Sequence, residues 1–289
     1  MSKSKKYAYN WDEIYEEKMD TDASTMVEQI LQDPELPNLE EIIIGCWGES
    51  YDNSSQAIVD SFTDNREKFQ HIEKLFVGDM EYDECEVSWI EQADYSKLWD
   101  AWPQLKSLTV KGSNDLSFGK IDHDNLQELE IICGGLPARV IQQIADAKLP
   151  NLRKLNLYIG VVDYGFDGDV SDIEKLLKAD FIKNVEYLGL GDSEIQDEIV
   201  EAFFKHDDLG KIKTLDFSNG TLTDKGGQIL LDNAAKLKQL EKLDLTYHYL
   251  SDEMMEKLKA TGLPVVLEDQ QEAEDDGDGG YWYSSMLTE

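Results

Sequence analysis

Chemistry in a protein begins with nucleophiles, proton carriers and metal ligands, and this chain offers few of them. It has three cysteines, Cys46, Cys85 and Cys133, and four histidines, His71, His123, His206 and His248. The cysteines are far apart and form no CxxC pair or Cys/His cluster, so the ligand spacing of a structural zinc site is missing. No GxSxG, P-loop, HExxH or GxGxxG with a following acidic residue occurs either. Two acidic clusters invite a calcium reading. DGDVSD at 167–172 has Asp172 where an EF-hand loop needs glycine, and Lys178 where it needs the bidentate glutamate. EDDGDG at 274–279 opens on Glu274 and reaches Ser285 at the glutamate position. Ser171 with Glu174 fits better as a capping box for a helix that follows. The expectation is therefore not an enzyme: no catalytic residue, no metal ligand set and no cofactor.

The bulk numbers point the same way. A net charge of -34 arises from 61 acidic residues against 27 basic ones, while 41% of the 289 residues are hydrophobic. That apolar fraction is too high for a disordered acidic chain, so the charge must decorate a folded surface. An acidic field repels phosphates and anionic lipid, which argues against nucleic acid and membrane surfaces as partners. It suits a protein or peptide partner, a basic one above all, or cations. The lysines of MSKSKKYAYNWDEIYEEK are followed by no apolar stretch, and no run of 18 apolar residues occurs. With sparse thiols, this gives an expected cytoplasmic location.

What must position any binding residues is an internal repeat. Leu126-Leu129-Ile131, Val185-Leu188-Leu190, Ile212-Leu215-Phe217 and Leu240-Leu243-Leu245 each lead into three further positions, and the offsets from the first residue are 3, 5, 10, 14 and 18 in every case. Only Gly226 replaces a large apolar residue in that pattern. Positions two apart share one face of a strand, whereas positions four apart share one face of a helix. Each unit is thus a strand, a turn and a helix that can bury its apolar face only against its neighbours. The strand half recurs at Leu39-Ile42-Ile44, Ile72-Leu75-Val77, Leu105-Leu108-Val110 and Leu152-Leu155-Leu157, and the 21-residue unit after Leu105 has no room for a full helix.

The LxxLxL pattern resembles leucine-rich repeats, and LDFSNGTLTDKGGQIL with LDLTYHYLSDEMMEKL resembles the ribonuclease-inhibitor-like subclass. The chain also resembles a narrower group of bacterial leucine-rich-repeat proteins of unassigned role, through GESYDNSSQAIVD, YDECEVSWIEQAD, GGLP and YLSDEM. The resemblance implies an α/β leucine-rich-repeat solenoid, a curved horseshoe with parallel strands on the concave face and helices on the convex face. One departure stands out. The position that normally holds an asparagine or cysteine ladder carries Trp47, Met80, Ser113, Gly134, Gly160, Ser193, Gly220 and His248, so each strand-to-loop turn must be satisfied in its own way.

Residues 1–36 read as a lead-in with a helix around Met26 and Ile30, capped by Thr21, Asp22 or Ser24. Residues 37–267 form the repeat domain of about eight units, with Leu263, Val265 and Val266 as a last strand. Residues 268–289 are an acidic tail carrying Tyr281, Trp282 and Tyr283, which either packs on the last repeat or docks as a short peptide. Outward strand positions are nearly balanced in charge, but the loops leaving the strands are acidic and aromatic. The expected function is a protein-interaction module. Its partner-binding residues are Trp47, Tyr51, Asp79, Tyr82, Asp83 and Tyr164 on the loop rim, with Phe76, Tyr158 and Tyr187 on the strands. The alternative is a cation-dependent regulatory component whose acidic loops order around metal.

Overall fold

The computed structural model describes residues 3–10, 12–16, 21–205, 210–275, 277 and 280–288. His206 and the cluster residues Asp276, Asp278 and Gly279 lie outside the described residues. The fold is α/β, and its contacts divide the chain into two compact units, Met1–Cys133 with Asp146–Leu152 and Gly134–Ala145 with Arg153–Thr288.

The first unit holds five parallel strands hydrogen-bonded in chain order: β1 (Ser4–Tyr7), β2 (Glu41–Ile44), β3 (Lys74–Val77), β4 (Ser107–Lys111) and β5 (Glu128–Ile132). The repeat sets their register. Ile42, Leu75, Leu108 and Leu129 lie side by side in one row, and Ile44, Val77, Val110 and Ile131 in another. All eight are buried, each contributing roughly 1.5–3 kcal/mol of apolar transfer. β1 was not expected, since SKKY carries no trace of the LxxLxL pattern. Helix α1 (Ala23–Gln32) follows the expected lead-in pattern and is capped by Asp22, whose carboxylate accepts the Thr25 N–H at 2.8 Å while the Thr25 hydroxyl accepts the Asp22 N–H at 3.0 Å. Helices α2 (Gln56–Asp64) and α3 (Leu98–Ala101) complete the unit. Phe62, Phe69 and Trp102 pack ring on ring beneath them, with centroids 5.0 to 5.4 Å apart. Between β4 and β5 the chain makes its crossover without a helix, as the short unit after Leu105 requires.

The second unit repeats the design with strands β6 (Lys154–Gly160), β7 (Tyr187–Ser193), β8 (Thr214–Asp216), β9 (Lys242–Asp244) and β10 (Val265–Val266), again parallel and in chain order. Leu155, Leu188, Leu215, Leu243 and Val265 form one row. Helices α4 (Ala138–Ala145), α5 (Val170–Leu177), α6 (Gln196–Phe204), α7 (Asp224–Asp232) and α8 (Asp252–Ala260) pack each against the next. Gly226, the exception in the repeat, has a physical reason. Its N–H donates to Asp197 at 3.0 Å, and a Cβ there would stand 2.5 Å from both Asp197 Oδ1 and Leu222 Cδ1.

The turns lacking an asparagine ladder are closed individually. His248 is buried and its Nδ1 accepts the Leu250 N–H at 3.1 Å, and the Ser193 hydroxyl accepts the Ile195 N–H at 3.2 Å. Gly160 adopts φ +75°, and a Cβ there would lie 1.9 Å from the Gly134 carbonyl oxygen, so only glycine fits. The cap of α5 differs from expectation. Asp169, not Ser171, is the N-cap: its side chain accepts the Ser171 N–H at 2.7 Å and Asp172 answers by accepting the Asp169 N–H at 3.2 Å. The chain stays extended only as far as Asp169, which places Ser171 already inside the first turn. Among the described residues, no helix is long and apolar enough to cross a membrane.

Candidate partner-binding surface

The first unit builds a site from the loops that leave β2 and β3. Trp47, just past β2, is fully buried, and its indole N–H donates to the Asn53 carbonyl at 2.7 Å. This corrects its expected role as a contact residue: its side chain is held in the core, where it pins the loop that carries Tyr51. That loop is stitched to the next one by backbone bonds, Glu91 N–H to Ser50 at 3.0 Å and Ser55 N–H to Glu91 at 3.1 Å. Gln92, fully buried, braces the pair from behind by accepting from the Ser55 and Tyr95 hydroxyls and donating to the Lys111 carbonyl.

The result is an open cavity of about 370 Å³ lined by Tyr51, Tyr82, Asp83, Glu84, Cys85, Glu86 and Trp89. Tyr82 and Trp89 are each 59% exposed, so much of both large rings faces solvent. The Tyr51 hydroxyl donates to Glu49 at 3.3 Å and lies 3.4 Å from the Tyr15 hydroxyl. Glu84 turns back to accept the Glu81 N–H at 2.8 Å, which orders the loop and leaves an acidic edge of exposed Asp83 and half-buried Glu86. Cys85 at the floor is no nucleophile, because burial pushes its thiol up to about 12. Burial also raises Cys46.

The expected contact residues do not all gather here. Tyr51, Tyr82 and Asp83 line the cavity, whereas Asp79 is engaged with Lys6 at 3.1 Å. Phe76 is half-buried on the outward face of β3, between Ile43 and Thr109 of the flanking strands. Tyr158, Tyr164 and Tyr187 belong to the second unit and are half-buried. There the Tyr187 hydroxyl donates to Asp216 and Lys154 stands 5.3 Å from the Tyr187 ring centre. Trp89, Glu84 and Glu86 complete the cavity although only their loop composition marked them beforehand. Among the described residues, no group of three His, Cys, Asp or Glu side chains is placed to hold a metal ion.

In the second unit the tail folds back. Glu274–Asp275 pairs antiparallel with Tyr281–Trp282. The Met286 N–H then donates to the Asn219 carbonyl at 2.8 Å and the Leu287 N–H to Asp192 Oδ1 at 2.8 Å. The Tyr249 hydroxyl donates to the Ser284 carbonyl at 2.9 Å and accepts the Ser284 N–H at 3.0 Å, while Tyr283 meets the Tyr249 ring edge-on at 5.0 Å. Asp192 is fully buried in the left-handed region, φ 52°, and burial pushes its carboxyl up to about 8.

No protein-family model and no curated protein matches the chain. A crystal structure of a Bacteroides fragilis protein is similar over 93% of this chain and 75% of that one, at 45% identity and a TM-score of 0.85.

Proposed function

We propose that this chain, which belongs to the same family as the Bacteroides fragilis protein, is a non-catalytic binding module. It is a leucine-rich-repeat solenoid that takes a basic protein segment on the acidic, aromatic rim of its first unit. The observation that carries this reading is that Tyr51, from the loop after β2, and Tyr82 and Trp89, from the loop after β3, stand around one cavity edged by Asp83, Glu84 and Glu86. Rings held in water gain roughly 25 cal/mol for each Å² that a partner covers. Carboxylates beside them select lysine or arginine over acidic competitors and speed encounter. Phe76, half-buried on the outward face of β3, extends the surface along the strands. The same charge disfavours nucleic acid and membrane surfaces. Free, buried cysteines fit the cytoplasm as its location.

The test is binding of the full chain to an array of short peptides of known sequence, alongside a Tyr82→Ala/Trp89→Ala variant. The intact chain selects peptides in which lysine or arginine adjoins an apolar residue, and its binding weakens as salt rises. The variant, melting at the same temperature, loses about tenfold or more in affinity. Equal peptide selection by both proteins would refute the rim as the site.

A further inference from the structure

A second cavity, of about 660 Å³, opens in the second unit and lies in the size range of small-molecule sites, roughly 300–1,000 Å³. Its walls come from the loops after β6, β7 and β8, and its remaining side is the folded-back tail. Four carboxylates line it (Asp163, Glu194, Asp197 and Glu198), four aromatic rings (Tyr164, Tyr281, Trp282 and Tyr283), and no basic side chain.

Three of the acids are partly used. Asp197 accepts the Thr223 and Gly226 N–H groups and the Thr223 hydroxyl, Glu194 accepts the Val162 N–H at 2.9 Å, and Glu198 pairs with Lys225 at 2.9 Å. Asp163 is exposed and has no hydrogen-bond or ion-pair partner among the described residues. An independent observation points to a missing donor. Ser285 also lines the cavity and is 3% exposed, and its hydroxyl oxygen has no hydrogen-bond partner among the described residues. A buried hydroxyl left in this condition costs about 1–3 kcal/mol, which a ligand N–H recovers.

We infer that this cavity binds an organic cation, a guanidinium or ammonium group carried on a stem of side-chain size. Asp163 supplies the counter-charge, Trp282 and its tyrosine neighbours supply ring faces for the cation, and Ser285 accepts an N–H. The site is separate from the rim of the first unit and does not depend on it.

The experiment is calorimetric titration of the full chain with N-acetyl-arginine methylamide, with the neutral N-acetyl-citrulline methylamide, and with a glycine pentapeptide bearing one central arginine. The expected result is that an arginine probe binds about tenfold or more tightly than the citrulline compound. Asp163→Asn and Trp282→Ala each weaken it about fivefold or more with the melting temperature unchanged. Binding of the blocked amino acid assigns the cavity to a free small cation, and binding of the pentapeptide alone assigns it to a partner's arginine side chain. Tyr82→Ala/Trp89→Ala retains this binding, so loss of the rim site leaves the cavity measurable. Equal affinity for arginine and citrulline probes, no heat with either arginine probe, or unaltered binding in Asp163→Asn would overturn the inference.

Discussion

The docked tail should open as pH rises, and Asp192 is the reason. Desolvation by burial pushes its carboxyl up to about 8 from an ordinary 3.8, outweighing the Met286 and Leu287 N–H groups of the tail, which by themselves favour the carboxylate; its Oδ1 accepts the Leu287 N–H. A raised carboxyl pKa means that the docked form binds a proton the undocked form releases. Its contribution is therefore fully present at low pH and is lost as pH climbs through about 8. Between pH 7 and pH 9 the loss is roughly 1 to 2 kcal/mol, about tenfold in the docking equilibrium. His248 adds nothing in that window, because burial lowers its pKa and leaves it neutral. Tyr247 is raised by burial and stays protonated. Hydrogen exchange at the Met286 and Leu287 amides, corrected for the base-catalysed intrinsic rate, reads the equilibrium directly. Protection at both should fall about tenfold from pH 7 to pH 9. Asp192→Asn keeps a carbonyl acceptor for Leu287 and cannot titrate, so its protection should be flat. Protection independent of pH in the parent, or the same slope in the variant, would show that Asp192 does not hold the tail in the protonated form.

Two further outcomes test the first unit. Trp47→Ala should cost about 3–5 kcal/mol in urea melts, as deletion of a buried ring does; a loss under ~1 kcal/mol would mean that Trp47 does not anchor the loop. With its thiol pushed up to about 12, Cys85 should react with a disulfide reagent at pH 8 at least ~1,000-fold more slowly in the native chain than in the denatured one, and rapid native labelling would contradict its burial.

How much could be read from the residues alone depended on how local the governing physics was. The strand rows were legible because a parallel ladder places equivalent repeat positions side by side, and Ile42-Leu75-Leu108-Leu129 follows from that periodicity. The last strand at Val265–Val266 was legible for the same reason. β1 was not: Lys5 and Lys6 hide it, and its pairing with β2 is a tertiary event without a periodic trace. Trp47 and Tyr82 are both loop aromatics in the sequence. Which of them turns inward is decided by bonds such as the one from Trp47 to Asn53, and no spacing rule encodes that. Likewise the loop composition announced an acidic, aromatic rim, but convergence of Tyr51 with Trp89 rests on the backbone bonds through Glu91. The docked tail depends on Asp192 and Tyr249, residues far from it in the chain, and is equally invisible to periodicity.

The lysines of β1 also bear on how the chain behaves in a crowded solution. A parallel sheet assembled one strand per repeat ends in unpaired amides and carbonyls, which invite another chain to continue the ladder. In the first unit that edge belongs to a four-residue strand whose Lys5 is bound to Asp33 and Glu35 and whose Lys6 is bound to Asp79. Asp33 is held at about 2, chiefly by Lys5, so its charge persists in all but strong acid. In the second unit the terminal strand is two residues long, too short to template a partner. Charge guards the one strand and brevity the other, so neither β1 nor β10 offers a second chain a ready template for continuing the ladder.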